Sequence, residues 1–518
     1  MDRKWWTLIA VCTGVFMLLL DVTIVNVALP DIQRAFGASL SDLQWVIDAY
    51  ALTLASLLLT AGSLADLYGR RRLFSLGIVI FTVGSALCGV STSATFIALA
   101  RAGQGVGGAI MFATALALLA HAFRGRDRGT AFGVFGAITG IAVAVGPVLG
   151  GAITSGLSWR WIFLVNVPIG VVAFAVTRLR VEESRDPRPR RPDWLGFVTF
   201  SGALTALMYG LIKSNGSGWG STLVVGCLAA AVALLAAFVV VEHVQRTPMF
   251  DFALLRKPTF TGGLLAAFGI SASLFSLLTY LVLYVQNVLG YSAVATGVRF
   301  LALTGAIFLT AGVAGRLTTK VPTRLLIGPG FLLIAGGLLL MRGITPASGW
   351  THLLPGLIVA GVGAGLVNVP LASTAVGVVE PARAGMASGI NSTFRQVGIA
   401  TGIAALGAVF AAQVRDGVTS RLVHTPLAAH ADAVGQAVSS GQATAAIGRT
   451  PAPLRSTVAT AAQSGFVAGL NSILLIGAVV ALAAAVSSFI LIRQRDFVQE
   501  PVAAGEEQDA AVAQAVAA

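Results

Sequence analysis

Long apolar runs alternate with short polar breaks from Trp5 to Arg493, and nearly all of them reach the roughly 20 residues that a helix needs to cross lipid. Helix is the form that satisfies its own backbone hydrogen bonds where water is absent. The runs predict fourteen spans, at approximately 6–28, 44–66, 73–92, 96–120, 129–155, 160–179, 194–213, 221–242, 259–289, 293–315, 322–342, 351–373, 385–412 and 465–492. The expected fold is an all-α membrane protein.

Three stretches interrupt the rhythm. "RLRVEESRDPRPRRPDW" (Arg178 to Trp194) is a Pro- and Arg-rich connector. Residues 413–464 are rich in Ala, Gln, Thr and Gly and are expected to form a long extracytoplasmic loop. The tail from 496 to 518 is expected to be disordered. A faint repeat relates "AGSLADLYGRRRL" (Ala61 to Leu73) to "AGRLTTKVPTRLL" (Ala314 to Leu326), aligning Gly62 with Gly315, Leu64 with Leu317 and Arg71 with Arg324. The repeat predicts two six-helix bundles, 1–180 and 258–495, with two additional helices carried by 181–257.

Composition agrees with the pattern. Of 518 residues, 56% are hydrophobic and 11% charged, against about 25% charged in soluble domains. The net charge of +13 could signal nucleic acid. About two-thirds of the 34 Lys and Arg, however, fall on the side predicted to be cytoplasmic. The charge is therefore a topology signal that places both termini inside, and no nucleic-acid partner is expected. All eight Trp lie at predicted span ends, where an amphipathic indole prefers the interface. The first run is too long for a signal-peptide core and no small-residue cleavage site follows it, so it is expected to be retained. Cys12, Cys88 and Cys227 each fall within a span and are expected to be packing residues.

Several motifs, in order, carry a resemblance: "LLDVTIVNVALP" in span 1, "GSLADLYGRRR" after span 2, "ARAGQGVGGA" in span 4, "GVFGAITGIAVAVGPVLGGAI" in span 5 and "GMASGINSTFRQVGIATG" in span 13. Over about residues 6–495 the chain resembles the major facilitator superfamily, and within it the drug:proton antiporter branch with fourteen spans. The resemblance implies two six-helix bundles alternating around a central cavity, and a bacterial plasma membrane. It makes the loop with Gly62, Asp66, Gly69, Arg70 and Arg71 a latch for the outward-facing state. It makes the span-5 pattern with Gly140, Gly146, Pro147, Gly150 and Gly151 an exporter mark.

The residues also speak for themselves. Glycine permits a tight reversal, and Asp66 beside arginines can form charge-assisted bonds in one state of a moving interface; a plain positive-inside anchor is the alternative. Small residues four apart in span 5 let helices approach closely, which ordinary packing would also explain.

Only Asp21 and Asp48 among 21 acidic residues fall inside predicted spans, with Asp66 and Glu242 at boundaries. An ionisable side chain at the bilayer centre costs roughly 2.5–3.5 kcal/mol, so such groups usually face a cavity. By helical rise, Asp21, Asp48 and Arg101 lie at similar depth in the outer half of the first bundle. Desolvation favours the protonated carboxyl and a nearby cation the ionised one, so a cavity that alternately wets and dries suits a proton carrier. Asp21 is expected to be the principal coupling group, Asp48 its support and Arg101 its tuner, with a permanent structural pair as the alternative. Asp48 departs from the family, which often has an uncharged polar residue there.

Tyr280, Tyr284, Asn391, Arg395 and Gln396 are cavity candidates in the second half. That half holds no intramembrane acid. Since members of the resembled family that export dications tend to carry further acids there, the resemblance implies monocationic or neutral lipophilic substrates, with Arg395 leaving an anionic one open. No phosphate-binding loop, metal-ligand spacing or catalytic constellation appears, so no enzyme activity, metal or cofactor is expected and an ion gradient must drive any transport. The expected partners are protons, a lipophilic small molecule and the bilayer, with the chain acting as a monomer. The function expected is proton-coupled efflux; a dedicated exporter of one endogenous product and a non-transporting sensor of the same fold are the rivals.

Overall fold

A computed structural model describes residues 2–38, 40–186, 192–245, 248–318, 320–423, 425–439 and 447–498. The described residues are helical rods joined by short turns, without a strand. The first bundle contains α1 (Arg3–Phe36), α2 (Leu40–Tyr68), α3 (Arg70–Gly89), α4 (Ala94–Ala122), α5 (Gly125–Gly156), the short α6 (Trp161–Leu164) and α7 (Asn166–Arg180). Two further helices follow, α8 (Trp194–Ser217) and α9 (Thr222–Val244). The second bundle opens with α10 (Pro258–Ile270), which runs through a π-helical turn into α11 (Ser276–Leu283). It continues with α12 (Ala293–Leu317), α13 (Arg324–Leu340), α14 (Leu354–Gly377), α15 (Ala384–Leu422), the short α16 (Ala431–Ser439) and α17 (Arg455–Leu491).

Twelve helices among the described residues are long and apolar enough to cross a membrane. Helices α5 and α13 also coincide with predicted spans but stand outside that twelve, α13 at 17 residues. The polar stretch after α4 starts α5 at Gly125 and the turn at Gly69 starts α3, so the breaks in hydropathy become the bends of the chain. Cys12 and Cys88 are buried, Cys227 is half-buried, and all three are free thiols.

Each bundle has its own apolar core. One gathers Leu18, Leu54, Phe74, Phe81, Met111 and Phe132; the other gathers Leu274, Phe331, Ile334, Leu338, Leu470 and Leu474. Between the bundles α2 packs on α15 and α5 on α12. Helix α8 rests on α2 and α15, while α9 packs on α8 and leaves Val225, Val232, Val239 and Val240 exposed.

The stretch expected as a long outer loop is largely helical. Helix α15 continues to Leu422 and α17 begins at Arg455. Val414, Val418 and Leu422 recur every fourth residue, which places them on one helix face, and they are buried with Val458 and Ala461 in the second core. Arg415 grips Asp432 of α16 through Nε and Nη2, which together reach both carboxylate oxygens, the shortest contact being 2.9 Å. Composition suggested a loop there, and a helical apolar stripe prevails. The expected disorder of 496–518 falls outside the described residues beyond Val498; Gln494–Asp496 form a helical turn.

Candidate functional site

Asp21 of α1 is fully buried and Arg101 of α4 is 1% exposed. The Arg101 guanidinium donates to Asp21 Oδ2, and Asp21 Oδ1 accepts from Gln104 Nε2 at 2.9 Å and Asn166 Nδ2 at 3.3 Å. Arg101 also donates to Gln104 Oε1 at 2.8 Å and to the Val46 carbonyl at 3.1 Å, and lies 4.1 Å from the centre of the Tyr50 ring. Asn166 reaches Ser85 Oγ at 3.0 Å. Helices α1, α2, α3, α4 and α7 thus converge on one carboxylate.

The local sequence explains the convergence. Arg101 and Gln104 are three residues apart and share a face of α4. The glycines of "ARAGQGVGGA" let α4 sink between its neighbours: a Cβ on Gly105 would stand 2.1 Å from Thr53 Oγ1 of α2, and one on Gly107 2.5 Å from the Phe81 nitrogen of α3. Small residues are what close helix approach in a membrane requires.

Asp48 is not part of this cluster. It sits on the face of α2 that turns to α8, where Trp45 stacks on Tyr209 at 5.9 Å. Lys213 Nζ lies 5.1 Å from the Trp45 ring, and its charge is the one whose field reaches Asp48. The expected meeting of Asp48 with Asp21 and Arg101 is not formed, because rotation around α2 turns Asp48 toward α8.

The second constellation ties the end of α2 to the start of α15. Asp66 and Arg70 are 6% and 3% exposed. Asp66 Oδ1 accepts from Arg70 Nε at 2.9 Å, Arg70 Nη2 at 2.7 Å and the Gly385 amide at 2.9 Å, while Oδ2 accepts from the Met386 amide at 2.8 Å. Arg70 Nη2 donates onward to the Pro381 carbonyl at 2.6 Å. A carboxylate of the first bundle therefore caps the N-terminus of α15 in the second, where orphan amides and the helix dipole favour an anion. The Arg71 amide donates to Glu183 at 3.0 Å, and the guanidinium groups of Arg71 and Arg72 stand 3.7 and 3.6 Å from the same carboxylate. Gly69 has φ of +108°, and a Cβ there would lie 2.7 Å from the Glu183 carboxyl.

Backbones meet directly at this end. A Cβ on Gly62 would stand 2.2 Å from the Gly385 carbonyl oxygen, and one on Gly315 2.4 Å from that of Gly129. Gly62 and Gly315, aligned in the sequence repeat, thus play the same part at α2–α15 and at α5–α12.

The span-5 pattern packs α5 in two directions. A Cβ on Gly146 would lie 1.8 Å from Thr23 Oγ1 of α1, one on Gly151 2.7 Å from Val294 and one on Gly140 3.4 Å from Ile307 of α12. The Gly150 carbonyl accepts from Thr154 Oγ1 at 2.8 Å. The Pro147 side chain lies outside the described residues.

The second-half candidates divide. Tyr280 and Tyr284 are buried, with hydroxyls donating to the Ile403 carbonyl at 2.9 Å and the Ser348 carbonyl at 3.0 Å. Their rings pack on Phe410 and Phe466. They brace α11 and the following turn against neighbouring helices and do not join Arg395. Arg395 donates to Asn368 Oδ1 of α14 at 2.6 Å and lies 6.0 Å from the Phe275 ring. Asn391 is buried with Nδ2 unpartnered among the described residues, and Gln396 is half-buried.

Sequence reasoning missed Gln104, Asn166, Glu183 and Asn368. Gln104 stood one turn from Arg101, and Asn166 was an isolated amide in an apolar run; both were findable as lone polar groups at membrane depth. Asn368, a lone amide in the apolar run 351–373, was findable in the same way, whereas Glu183 carried no such signal.

The sequence profile of the Major Facilitator Superfamily matches residues 11–403. The multidrug resistance protein Stp of Mycobacterium tuberculosis is 37% identical over 407 residues, 78% of this chain and 76% of its own length. The puromycin resistance protein of Streptomyces alboniger is 38% identical, over 79% of this chain and 82% of its own. The tetracenomycin C resistance and export protein of Streptomyces glaucescens is 33% identical over 94% and 91%. Among solved structures, the proton:xylose symporter XylE superposes with a TM-score of 0.63 at 13% identity, covering 95% of this chain and 96% of that one. The human organic anion transporter TETRAN gives 0.59 at 14%, over 93% and 100%. At such identities these two structures speak for the fold alone. By profile, by relatives and by fold, this chain belongs to the major facilitator superfamily: it is a multi-pass transporter of a bacterial plasma membrane and not an enzyme.

Proposed function

We propose that the protein is a proton-coupled antiporter that exports lipophilic, monocationic or neutral compounds by alternating access. The bundles 1–180 and 258–495 rock against each other, and 181–257 carries the two additional helices. In this reading α5 and α13 also cross, giving fourteen spans with both termini cytoplasmic and the chain working as a monomer. The relatives named for multidrug resistance and antibiotic export support the class of cargo.

The observation that carries the proposal is the burial of Asp21 with Arg101, Gln104 and Asn166. Removing one member of a buried ion pair leaves the other charge uncompensated, at about 3–5 kcal/mol. A proton arriving on Asp21 has the same effect on Arg101, so it cannot bind without a rearrangement that rehydrates or re-pairs the guanidinium. Protonation is thereby tied to conformation. In this reading the bonds of Asp66 and Arg70 to the start of α15 are a latch that holds that end shut in one state of the cycle. One proton falling through about 100 mV supplies about 2.3 kcal/mol, and one pH unit about 1.4, enough for a substrate gradient of several hundred-fold.

The test uses proteoliposomes holding an internal pH dye, an imposed proton gradient and a panel of lipophilic monocations. Substrate should dissipate the gradient with the wild type and not with Asp21→Asn. Equal dissipation by the variant removes Asp21 from the coupling. The second reading, a dedicated exporter of one endogenous product, is favoured by the relatives named for tetracenomycin C and puromycin. It predicts that one compound moves protons and the panel does not.

A further inference from the structure

We propose that the groove between the start of α13 and the segment following α17 binds the headgroup of an anionic phospholipid, independently of the transport cycle. The groove is an open surface recess of about 500 Å³ lined by Pro322, Arg324, Ile490, Arg493, Gln494 and Arg495. Its three arginines differ from others on the latch face. Arg3 pairs with Glu182, Arg70 with Asp66, Arg71 and Arg72 with Glu183, and Arg383 with Asp251. Among the described residues the side chains of Arg324 and Arg493 have no carboxylate partner, and Arg495 has only Asp496 at 3.9 Å.

Asp496 offsets only one of the three arginine charges, and its Oδ2 is tied elsewhere, accepting from the Thr259 amide at 3.2 Å and hydroxyl at 2.7 Å. The same hydroxyl accepts from the Arg493 amide at 2.7 Å. These bonds dock the Gln494–Asp496 turn on α10, so Arg493 and Arg495 project from a fixed arm. Arg324 is the first residue of α13, at the positive end of that helix's dipole.

The walls select a lipid over a free phosphate. Leu325, Leu332 and Leu339 repeat every seventh residue on the exposed face of α13, and Val479, Val486 and Ile490 line the exposed face of α17. The two helices close over the groove where a Cβ on Gly328 would lie 2.4 Å from the Phe489 ring. A headgroup phosphate on the arginines therefore sends its acyl chains along two apolar helix faces. Basic pockets between membrane helices hold anionic headgroups in this way.

The experiment is native mass spectrometry of the purified full-length protein titrated with phosphatidylglycerol, phosphatidylcholine or inorganic phosphate. Wild type should retain phosphatidylglycerol over phosphatidylcholine, and Arg324→Gln/Arg493→Gln/Arg495→Gln should weaken that retention at least tenfold, since each arginine near an anionic surface contributes about fivefold. A control with Arg124→Gln, Arg178→Gln and Arg185→Gln, of equal charge change, should retain it as wild type does. The proposal is overturned if the triple groove variant binds as wild type, if the control loses as much, or if inorganic phosphate occupies the site as well as the lipid does. A variant that fails to purify is replaced by the single Arg493→Gln, whose expected loss is about fivefold.

Discussion

At the scale of residues, the pair of Asp21 and Arg101 is stable only as a pair. Arg101→Met leaves a buried carboxylate facing Gln104 and Asn166 alone, and should destabilise the protein by about 3–5 kcal/mol. Asp21→Asn/Arg101→Met removes both charges and should recover most of that loss. Thermal unfolding in detergent separates the two, and a double variant no more stable than Arg101→Met would deny that the charges hold each other. Asp48→Asn should leave coupling intact, because Asp48 faces α8 and Lys213. Transport kinetics should show at most a change in substrate KM, and lost proton flux would return Asp48 to the coupling machinery.

At the scale of elements, motion is governed by how closely backbones meet. Gly62 and Gly385 leave no room for a methyl group, since its carbon would stand 2.2 Å from a carbonyl oxygen. Gly62→Ala should therefore cost the closed latch about 1–3 kcal/mol of overpacking and populate its open form. Spin labels at the exposed Tyr68 and Glu380 should report longer and broader distances in Gly62→Ala than in wild type. Gly103→Ala, where nothing lies within 4 Å of the added carbon, should change nothing. Unaltered distances in Gly62→Ala would mean that α2 and α15 do not gate this end. Asp66 of the latch was legible in the sequence, because an acid at a span boundary is conspicuous beside the basic residues that ordinarily flank spans. Its partners were not, because the amides of Gly385 and Met386 have no side-chain signature. Asp48 was misplaced for a related reason: rise along a helix converts sequence into depth, but the neighbour on each face depends on which helices pack there. In 413–464 an Ala-rich composition hid the fourfold spacing of Val414, Val418 and Leu422.

At the scale of the whole molecule, the rods were legible as runs of hydropathy, and the repeat around Gly62 and Gly315 suggested two halves without saying that those glycines sit at contacts between them. What pattern alone could not supply is the set of side chains that meet at Asp21, since five helices contribute to it from distant parts of the chain. The central claim is that this carboxylate exchanges a proton for substrate. The most direct measurement is proton release in weakly buffered detergent solution when a transported compound is added to the purified protein. Release of about one proton per bound substrate from wild type, and none from Asp21→Asn that still binds, is the result predicted. Equal release from both proteins would contradict it.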